Sequence, residues 1–268
     1  KDTLRLYYKY HGRDNRVWIW FGPRTPGAVS EELYREIAIR ARELKTGITM
    51  HLAEIRDDIE YMLKRFKMKP IEYVHSLGLT GSNVVLVHTV WIDESDIEIL
   101  AKTKTSVSHN PSSNAKLASG IAPVSKMLKK GVNVTLGTDG GPSNNTYDLI
   151  REMRIACFMQ YVKYMDPAAL KAEDVLEMAT VNGAKALMID SIVGSIEKGK
   201  RADIIVIDGH NPNLKPRVNT ISHLVFSANG YMVKHSIIDG KLVMYDRRIQ
   251  TFNEDEVLEK ANKAAENL

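Results

Sequence analysis

Short apolar runs alternate with amphipathic stretches along most of the chain. Five runs stand out, at residues 17–21, 47–51, 84–88, 106–109 and 132–139. Parallel strands that are covered on both faces have nearly continuous apolar sequences, so we interpret these runs as buried parallel strands. The regular alternation of strand and helix predicts an α/β fold.

The intervening stretches carry helix signals. Ser30 is suited to cap a helix whose first turn contains Glu31 and Glu32, and whose apolar face contains Leu33, Ile37, Ala41 and Leu44. Further helices are predicted through residue 66 and over residues 94–101, 121–131, 149–164, 172–178 and 182–187.

The last part of the chain has a different pattern. Residues 202–207 and 232–245 are predicted strands, and the second stretch turns back at Asp239-Gly240. We therefore expect an antiparallel β segment after the strand–helix units. This divides the chain into residues 1–193, a partial barrel carrying the candidate site, and residues 194–268, a small β-sandwich segment with a terminal helix.

Polar and titratable residues lie at or just after the carboxyl ends of the predicted strands. They are Arg24, His51, His88, His109 and Asp139. A TIM-type barrel keeps its active site at this end of its strands. A doubly wound sheet also binds ligands there, so the placement favours a barrel only modestly.

Composition and charge narrow the class of protein. The 268 residues are 44% hydrophobic and 26% charged, with a formal net charge of +4, as in an ordinary soluble globular protein. No dense basic block indicates nucleic-acid binding, and no apolar run is long enough for a membrane span. The single cysteine, Cys157, excludes an internal disulfide and favours a reducing compartment, for which we expect the cytoplasm.

Each candidate motif is weak when taken alone. His51-x-x-Glu54 suits a metal ligand with a nearby proton acceptor, but a strand histidine followed by a solvated glutamate is the more common origin of this spacing. His88 fits a catalytic imidazole or a buried histidine bonded to the backbone. Asp139, flanked by glycines, fits a ligand-binding carboxylate or a structural turn. The placement of all these residues at the same end of the predicted strands is what favours a metal hydrolase.

In order, the motifs His51-x-x-Glu54, Val87-His88, Ser108-His109-Asn110-Pro111-x-x-Asn114 and Gly137-Thr138-Asp139-Gly140 resemble the amidohydrolase superfamily. Within it, the chain is similar to the methylthioadenosine/S-adenosylhomocysteine deaminases and the related chlorohydrolases. The segments 120–124, 194–203 and 239–241 extend this resemblance over essentially the whole chain. The fold implied is a metal-dependent (β/α)8 barrel with a small appended β-sandwich.

The resemblance also implies roles for individual residues. His51 and Asp139 are metal ligands, Glu54 shuttles a proton to the departing amine, His88 polarises the attacking water, and Asp139 assists proton transfer. Arg24, Glu54, His109 and Asn114 are candidate substrate-binding residues. The implied cofactor is one Zn²⁺ or Fe²⁺ per site. The implied partners are a purine nucleoside or related N-heterocycle and water, with a homo-oligomer left open.

Two departures from the family pattern matter. The family also has a His-x-His pair on its first strand, and none of the eight histidines here is spaced in that way. We therefore expect barrel strands 1–3 and the remaining ligands to come from a longer polypeptide or another chain. The alternative is that this chain is a catalytically incomplete fragment that lacks the His-x-His pair.

Arg24 is the second departure, because the thioadenosine deaminases place a histidine there. Its guanidinium suits a ring carbonyl or a carboxylate, although pairing with a neighbouring loop acid explains it as well. The alternatives within the superfamily are therefore a guanine or pterin deaminase, or a triazine-type hydrolase.

Overall fold

The computed structural model describes residues 1–266 and contains two four-stranded sheets. The first consists of β1 Ile48–Leu52, β2 Val84–His88, β3 Ser106–His109 and β4 Val134–Leu136. The second consists of β5 Ile204–Ile207, β6 Val233–Ile238, β7 Lys241–Tyr245 and β8 Arg248–Ile249.

The α-helices surround and connect these strands. They are α1 Asp2–Tyr10, α2 Glu31–Glu43, α3 Arg56–Phe66, α4 Pro70–Ser76, α5 Glu94–Thr103, α6 Pro111–Lys116, α7 Val124–Lys129, α8 Gly141–Asn144, α9 Leu149–Tyr164, α10 Ala172–Ala179, α11 Val181–Ala186, α12 Thr220–Phe226 and α13 Glu254–Ala265. No helix within residues 1–266 is both long and apolar enough to cross a membrane.

The first sheet is parallel, with strand order β1-β2-β3-β4, which confirms the predicted α/β class. Residues alternate between its faces. Along β1, Ile48, Met50 and Leu52 are buried in the main core, whereas Thr49 and His51 lie on the less covered face. Because the strands are parallel, all four carboxyl ends lie at the same edge of the sheet. The polar residues at the strand ends can meet only in such an arrangement.

The predicted strand at residues 17–21 is wrong in extent. Only Phe21 forms a β-bridge, in parallel with Ile48. The preceding backbone bonds to side chains instead, since Ile19 N–H donates to His11 Nδ1 at 3.1 Å and Ile19 C=O accepts from the Thr46 hydroxyl at 2.5 Å. These side-chain hydrogen bonds replace a regular ladder with β1.

Two helix details also differ from prediction. Ile37, Ala41 and Leu44 of the predicted apolar face of α2 pack on the core as expected, together with Tyr34 and Ala38, whereas Leu33 is 42% exposed. Tyr34 takes the inward position because its hydroxyl donates to the Thr25 carbonyl at 2.6 Å. Helix α7 begins at Val124 rather than near residue 121, as expected when a proline disfavours the helical conformation of the residue before it.

The second sheet is antiparallel, in the order β5-β6-β7-β8, and it confirms the predicted strands of the C-terminal region. Asp239 and Gly240 adopt the left-handed conformation that the tight β6–β7 turn needs. The division at residue 193 and the sandwich arrangement stay predictions, and the last two residues of the 194–268 segment lie outside the described residues.

Candidate functional site

His51 and Glu54 reach the same edge because β1 ends between them. The strand stops at Leu52, and Ala53 has φ 52°, which turns the chain so that Glu54 lies in the following loop. Asp58 fixes this loop by accepting hydrogen bonds from the backbone N–H groups of Glu54 and Ile55, at 2.9 and 3.1 Å. Residues three apart on a strand point to opposite faces, so His51 and Glu54 can reach one site only if the strand ends between them, as it does here.

His88 ends β2 beside these two residues. It has φ 74°, and the next residue, Thr89, has φ 46°. Two successive non-glycine residues in this region are strained backbone, which clusters at functional sites. The His88 ring is fully buried, its centroid lies 5.2 Å from that of His51, and its Nε2 lies 3.5 Å from Glu54 Oε2.

Asp139 follows β4 and is held by hydrogen bonds to both carboxylate oxygens. Ser113 Oγ donates to Oδ2 at 2.6 Å, and the Gly140 N–H donates to Oδ1 at 2.7 Å. Gly137 permits this path, because a Cβ there would lie 2.3 Å from Asn110 Oδ1. We call His51, Glu54, His88 and Asp139 the strand-end cluster.

The electrostatics of the cluster follow from burial and hydrogen bonding. Burial lowers the pKa of His88, and the neighbouring Glu54 carboxylate offsets this only in part. Burial alone would raise the pKa of Asp139, but the hydrogen bonds from Ser113 and Gly140 outweigh it and the net pKa is lowered. At neutral pH the cluster therefore contains a neutral His88 imidazole and an ionised Asp139.

The remaining sequence candidates are placed differently. Arg24 is exposed, and its backbone carbonyl accepts from the His51 N–H at 2.6 Å. His109 and Asn114 are fully buried, so neither presents an accessible surface to a substrate in this structure. Burial lowers the pKa of His109 to about 3, with a smaller effect from His88. Asn114 contacts the His88 ring.

Sequence reasoning missed three residues that support the cluster. Ser113 holds Asp139, and Ser119 Oγ donates to Glu54 Oε1 at 3.3 Å. Glu152, on α9, is fully buried and accepts from Ser112 N–H, Ser112 Oγ and Asn144 Nδ2 at 3.0, 2.5 and 3.0 Å. A carboxylate between the apolar residues Ile150 and Met153 was the available signal for Glu152.

The donor set fits part of a metal site. His51 and Asp139 offer an imidazole and a carboxylate, which are ligand types that zinc prefers. Within residues 1–266, no group of three His, Cys, Asp or Glu side chains is placed to hold one ion. Zinc sites in proteins use three or four protein ligands, so the donor types fit and their number falls short.

Comparison with known proteins places the chain in a family. The model of the amidohydrolase family matches residues 8–243, and the chain belongs to that family. It is 41% identical over 270 residues to the 5'-deoxyadenosine deaminase of Methanobrevibacter smithii. It is 40% identical over 269 residues to the 5-methylthioadenosine/S-adenosylhomocysteine deaminase of Thermoanaerobacter pseudethanolicus. All of this chain, but only 62% of each relative, is covered.

Solved structures agree with the fold. A zinc-bound adenosine deaminase from Xanthomonas campestris superposes with a TM-score of 0.96 at 28% identity, covering 99% of this chain and 60% of that one. The guanine deaminase of E. coli gives 0.82 at 26% identity, covering 90% and 58%. Both structures agree with the membership of the amidohydrolase family, and the first of them contains zinc.

Proposed function

We propose that the chain forms the larger part of a metal-dependent hydrolytic deaminase that acts on an adenosine-type nucleoside and releases ammonia. The observation that carries this proposal is the strand-end cluster, in which a buried histidine faces a partly exposed glutamate beside two residues of metal-ligand type. The relatives named for 5'-deoxyadenosine and 5-methylthioadenosine/S-adenosylhomocysteine support the substrate class.

Each residue of the cluster has a distinct task in this proposal. Glu54, whose side chain is 24% exposed, takes a proton from the attacking water and delivers it to the departing amine. His88 polarises that water, and Asp139 assists the proton transfer. His51 and Asp139, together with further ligands, would hold a divalent metal, which would supply a water of lowered pKa as the nucleophile near neutral pH.

We infer that a His-x-His segment outside these 268 residues completes the metal site. The two donors of the cluster are too few, and the chain matches only 62% of the length of its relatives. The less covered face of the first sheet supports this inference. A cavity of about 430 Å³ opens there between Trp18, Trp20, Thr49 and Val85, where a further part of a barrel would pack.

Metal binding by the 268-residue chain tests this inference. We expect weak, substoichiometric zinc binding by titration calorimetry, and a His51→Gln variant should remove what binding there is. His75→Gln is the matched control, because His75 is exposed and lies away from the cluster, at the end of α4. Tight binding of one zinc per chain would contradict the inference that ligands are missing.

Ammonia release tests the reaction. The polypeptide encoded by the complete reading frame, loaded with zinc, should release ammonia from 5'-deoxyadenosine, methylthioadenosine or S-adenosylhomocysteine. Glu54→Gln should lower kcat by at least about 100-fold, the typical contribution of a general acid–base residue. Glu60→Gln, on the exposed side of α3, is the matched control. The absence of release from every nucleoside would contradict the proposal.

Arg24 favours a second candidate substrate. Arg24 is exposed and lies three residues after Phe21, which pairs with β1. A guanidinium offers several N–H donors to a ring carbonyl or a carboxylate. The ammonia screen therefore includes guanine and a pterin. Release from these rings alone would favour an oxo-ring deaminase, whereas loss of S-adenosylhomocysteine activity in Arg24→Gln would assign Arg24 to that substrate's carboxylate.

A further inference from the structure

A buried hydrogen bond joins Asn114, on α6, to the ring of His88. Asn114 Nδ2 and His88 Nδ1 are 3.0 Å apart, and both residues are fully buried. A neutral imidazole has one donor and one acceptor nitrogen, and the bond made by one nitrogen determines the role of the other. The contact with Asn114 therefore bears directly on which His88 nitrogen carries the proton.

The amide of Asn114 can face the ring in two ways. If its NH₂ group faces Nδ1, that nitrogen accepts and the proton is on Nε2. If its carbonyl oxygen faces Nδ1, the proton is on Nδ1 and Nε2 has a lone pair. Asn114 Oδ1 has no hydrogen-bond partner within residues 1–266, so rotating the amide would only exchange which of its atoms lacks a partner. The hydrogen bonds of Asn114 alone do not decide between them.

Glu54 decides between the two arrangements. Its Oε2 lies 3.5 Å from His88 Nε2, and Nε2 is buried with no hydrogen-bond partner among the described residues. An ionised carboxylate has only acceptor sites. A lone pair on Nε2 would face this negative charge and be repelled, whereas an N–H there is attracted to it.

We propose that Asn114 is a positioning residue that donates to His88 Nδ1 and so holds His88 in the tautomer protonated at Nε2. His88 then presents a hydrogen-bond donor on the side of Glu54 and the strand-end cluster. The use of this donor in deamination rests on the proposed function, but the tautomer itself does not.

Helix α6 and the turn that follows it fix both members of the His88–Glu54 pair. Asn114 holds the His88 ring, while Ser119 Oγ donates to Glu54 Oε1 at 3.3 Å. Ser119 is also bonded to Asn114, because the backbone N–H of Ser119 donates to the backbone carbonyl of Asn114 at 2.9 Å. One short segment after β3 therefore sets the relative position of a donor from β2 and an acceptor from the β1 loop.

The direct test is nitrogen NMR of the protein from the complete reading frame, labelled with ¹⁵N-histidine and free of substrate. Spectra recorded above neutral pH distinguish a protonated from an unprotonated ring nitrogen, and a His88→Gln spectrum assigns the signals. We expect His88 to be protonated at Nε2 and unprotonated at Nδ1. A neutral His88 protonated at Nδ1 would overturn the proposal, whether or not the protein deaminates anything.

Substitution of Asn114 provides the second test. Asn114→Asp replaces the donor with an acceptor of the same shape, so Nδ1 of His88 should become protonated. Asn110→Asp is the matched control, because Asn110 is a buried asparagine of the same loop whose Oδ1 accepts from Ser108 Oγ at 3.1 Å. We expect it to leave the His88 signals in place. An unprotonated Nδ1 in folded Asn114→Asp, or an equal change in the control, would overturn the role of Asn114.

Discussion

The region around the parallel sheet β1–β4, here the first region, and the region around the antiparallel sheet β5–β8, the second region, bury different kinds of residue. Within residues 1–266, every buried polar or charged side chain falls between Thr46 and Asn182. The strands of the second sheet are only partly covered, and Ile205 on β5 is 53% exposed. Burying a polar group is costly unless it is hydrogen-bonded, so the first region has more polar side chains that need a buried partner.

The difference follows from strand direction. Parallel strands bring all their carboxyl ends to one edge, where polar side chains from several strands can meet. Antiparallel strands alternate in direction, so consecutive strand ends lie at opposite edges. Functional chemistry is therefore expected in the first region, and three pairs of substitutions test the comparison, one member in each region.

Glu152→Ala should have the largest effect. Glu152 is fully buried and accepts three hydrogen bonds that link α6 and α8, the short helices after β3 and β4, to α9. Its removal leaves three buried donors without an acceptor, which should lower the free energy of unfolding by about 3–5 kcal/mol. Urea unfolding measures this change.

Asp203→Ala is the partner variant in the second region. Asp203 Oδ1 also accepts a backbone hydrogen bond, from the Asp239 N–H at 2.6 Å, but this site is exposed. Water can replace the lost acceptor, so we expect a loss of about 1 kcal/mol or less. Equal losses for the two variants would show that burial is not what separates the two regions.

Much of the fold could be predicted, because its signals are local. The predicted bounds of β2, β3 and α9 agree with the structure residue for residue, since apolar runs and helical periodicity report them directly. The extent of the strand at residues 17–21 was wrong because hydrogen bonds from the distant residues His11 and Thr46 replace the ladder. Sequence pattern carries no information about such tertiary bonds.

The same distinction holds at the candidate site. The side chains His51, Glu54 and His88 were expected to converge from the rule on parallel strand ends, and the structure places them together. The contact between Asn114 and His88 spans 26 residues of sequence and depends on where α6 lies relative to the end of β2. Neither residue type nor spacing could have distinguished this positioning contact from substrate binding.

Leu86→Ala should have the next largest effect. Leu86 is fully buried in the centre of β2, and truncation there removes core contacts and leaves a cavity. We expect a loss of about 3 kcal/mol in the free energy of unfolding. Ile205→Ala on β5 removes a half-exposed side chain and should cost about 1 kcal/mol or less. A larger loss at Ile205 would mean that the second sheet is covered in solution.

His109 should make stability depend on pH. Burial lowers its pKa in the folded protein from 6.5 to about 3, so between these values the unfolded chain binds a proton that the folded protein does not. The stability that His109 provides is therefore present above about pH 6.5 and is lost as the pH falls towards 3. The slope approaches about 1.4 kcal/mol per pH unit for this one group.

His109→Leu removes this titration, so its free energy of unfolding should fall less steeply below pH 6.5 than that of the unsubstituted protein. The slope, rather than the stability at neutral pH, is the quantity to compare, because leucine also changes the packing. His210→Leu, at an exposed histidine of the second region, is the partner variant that controls for the replacement of an imidazole by leucine. If His109→Leu keeps the full slope, the buried histidine is not the group that makes the first region sensitive to acid.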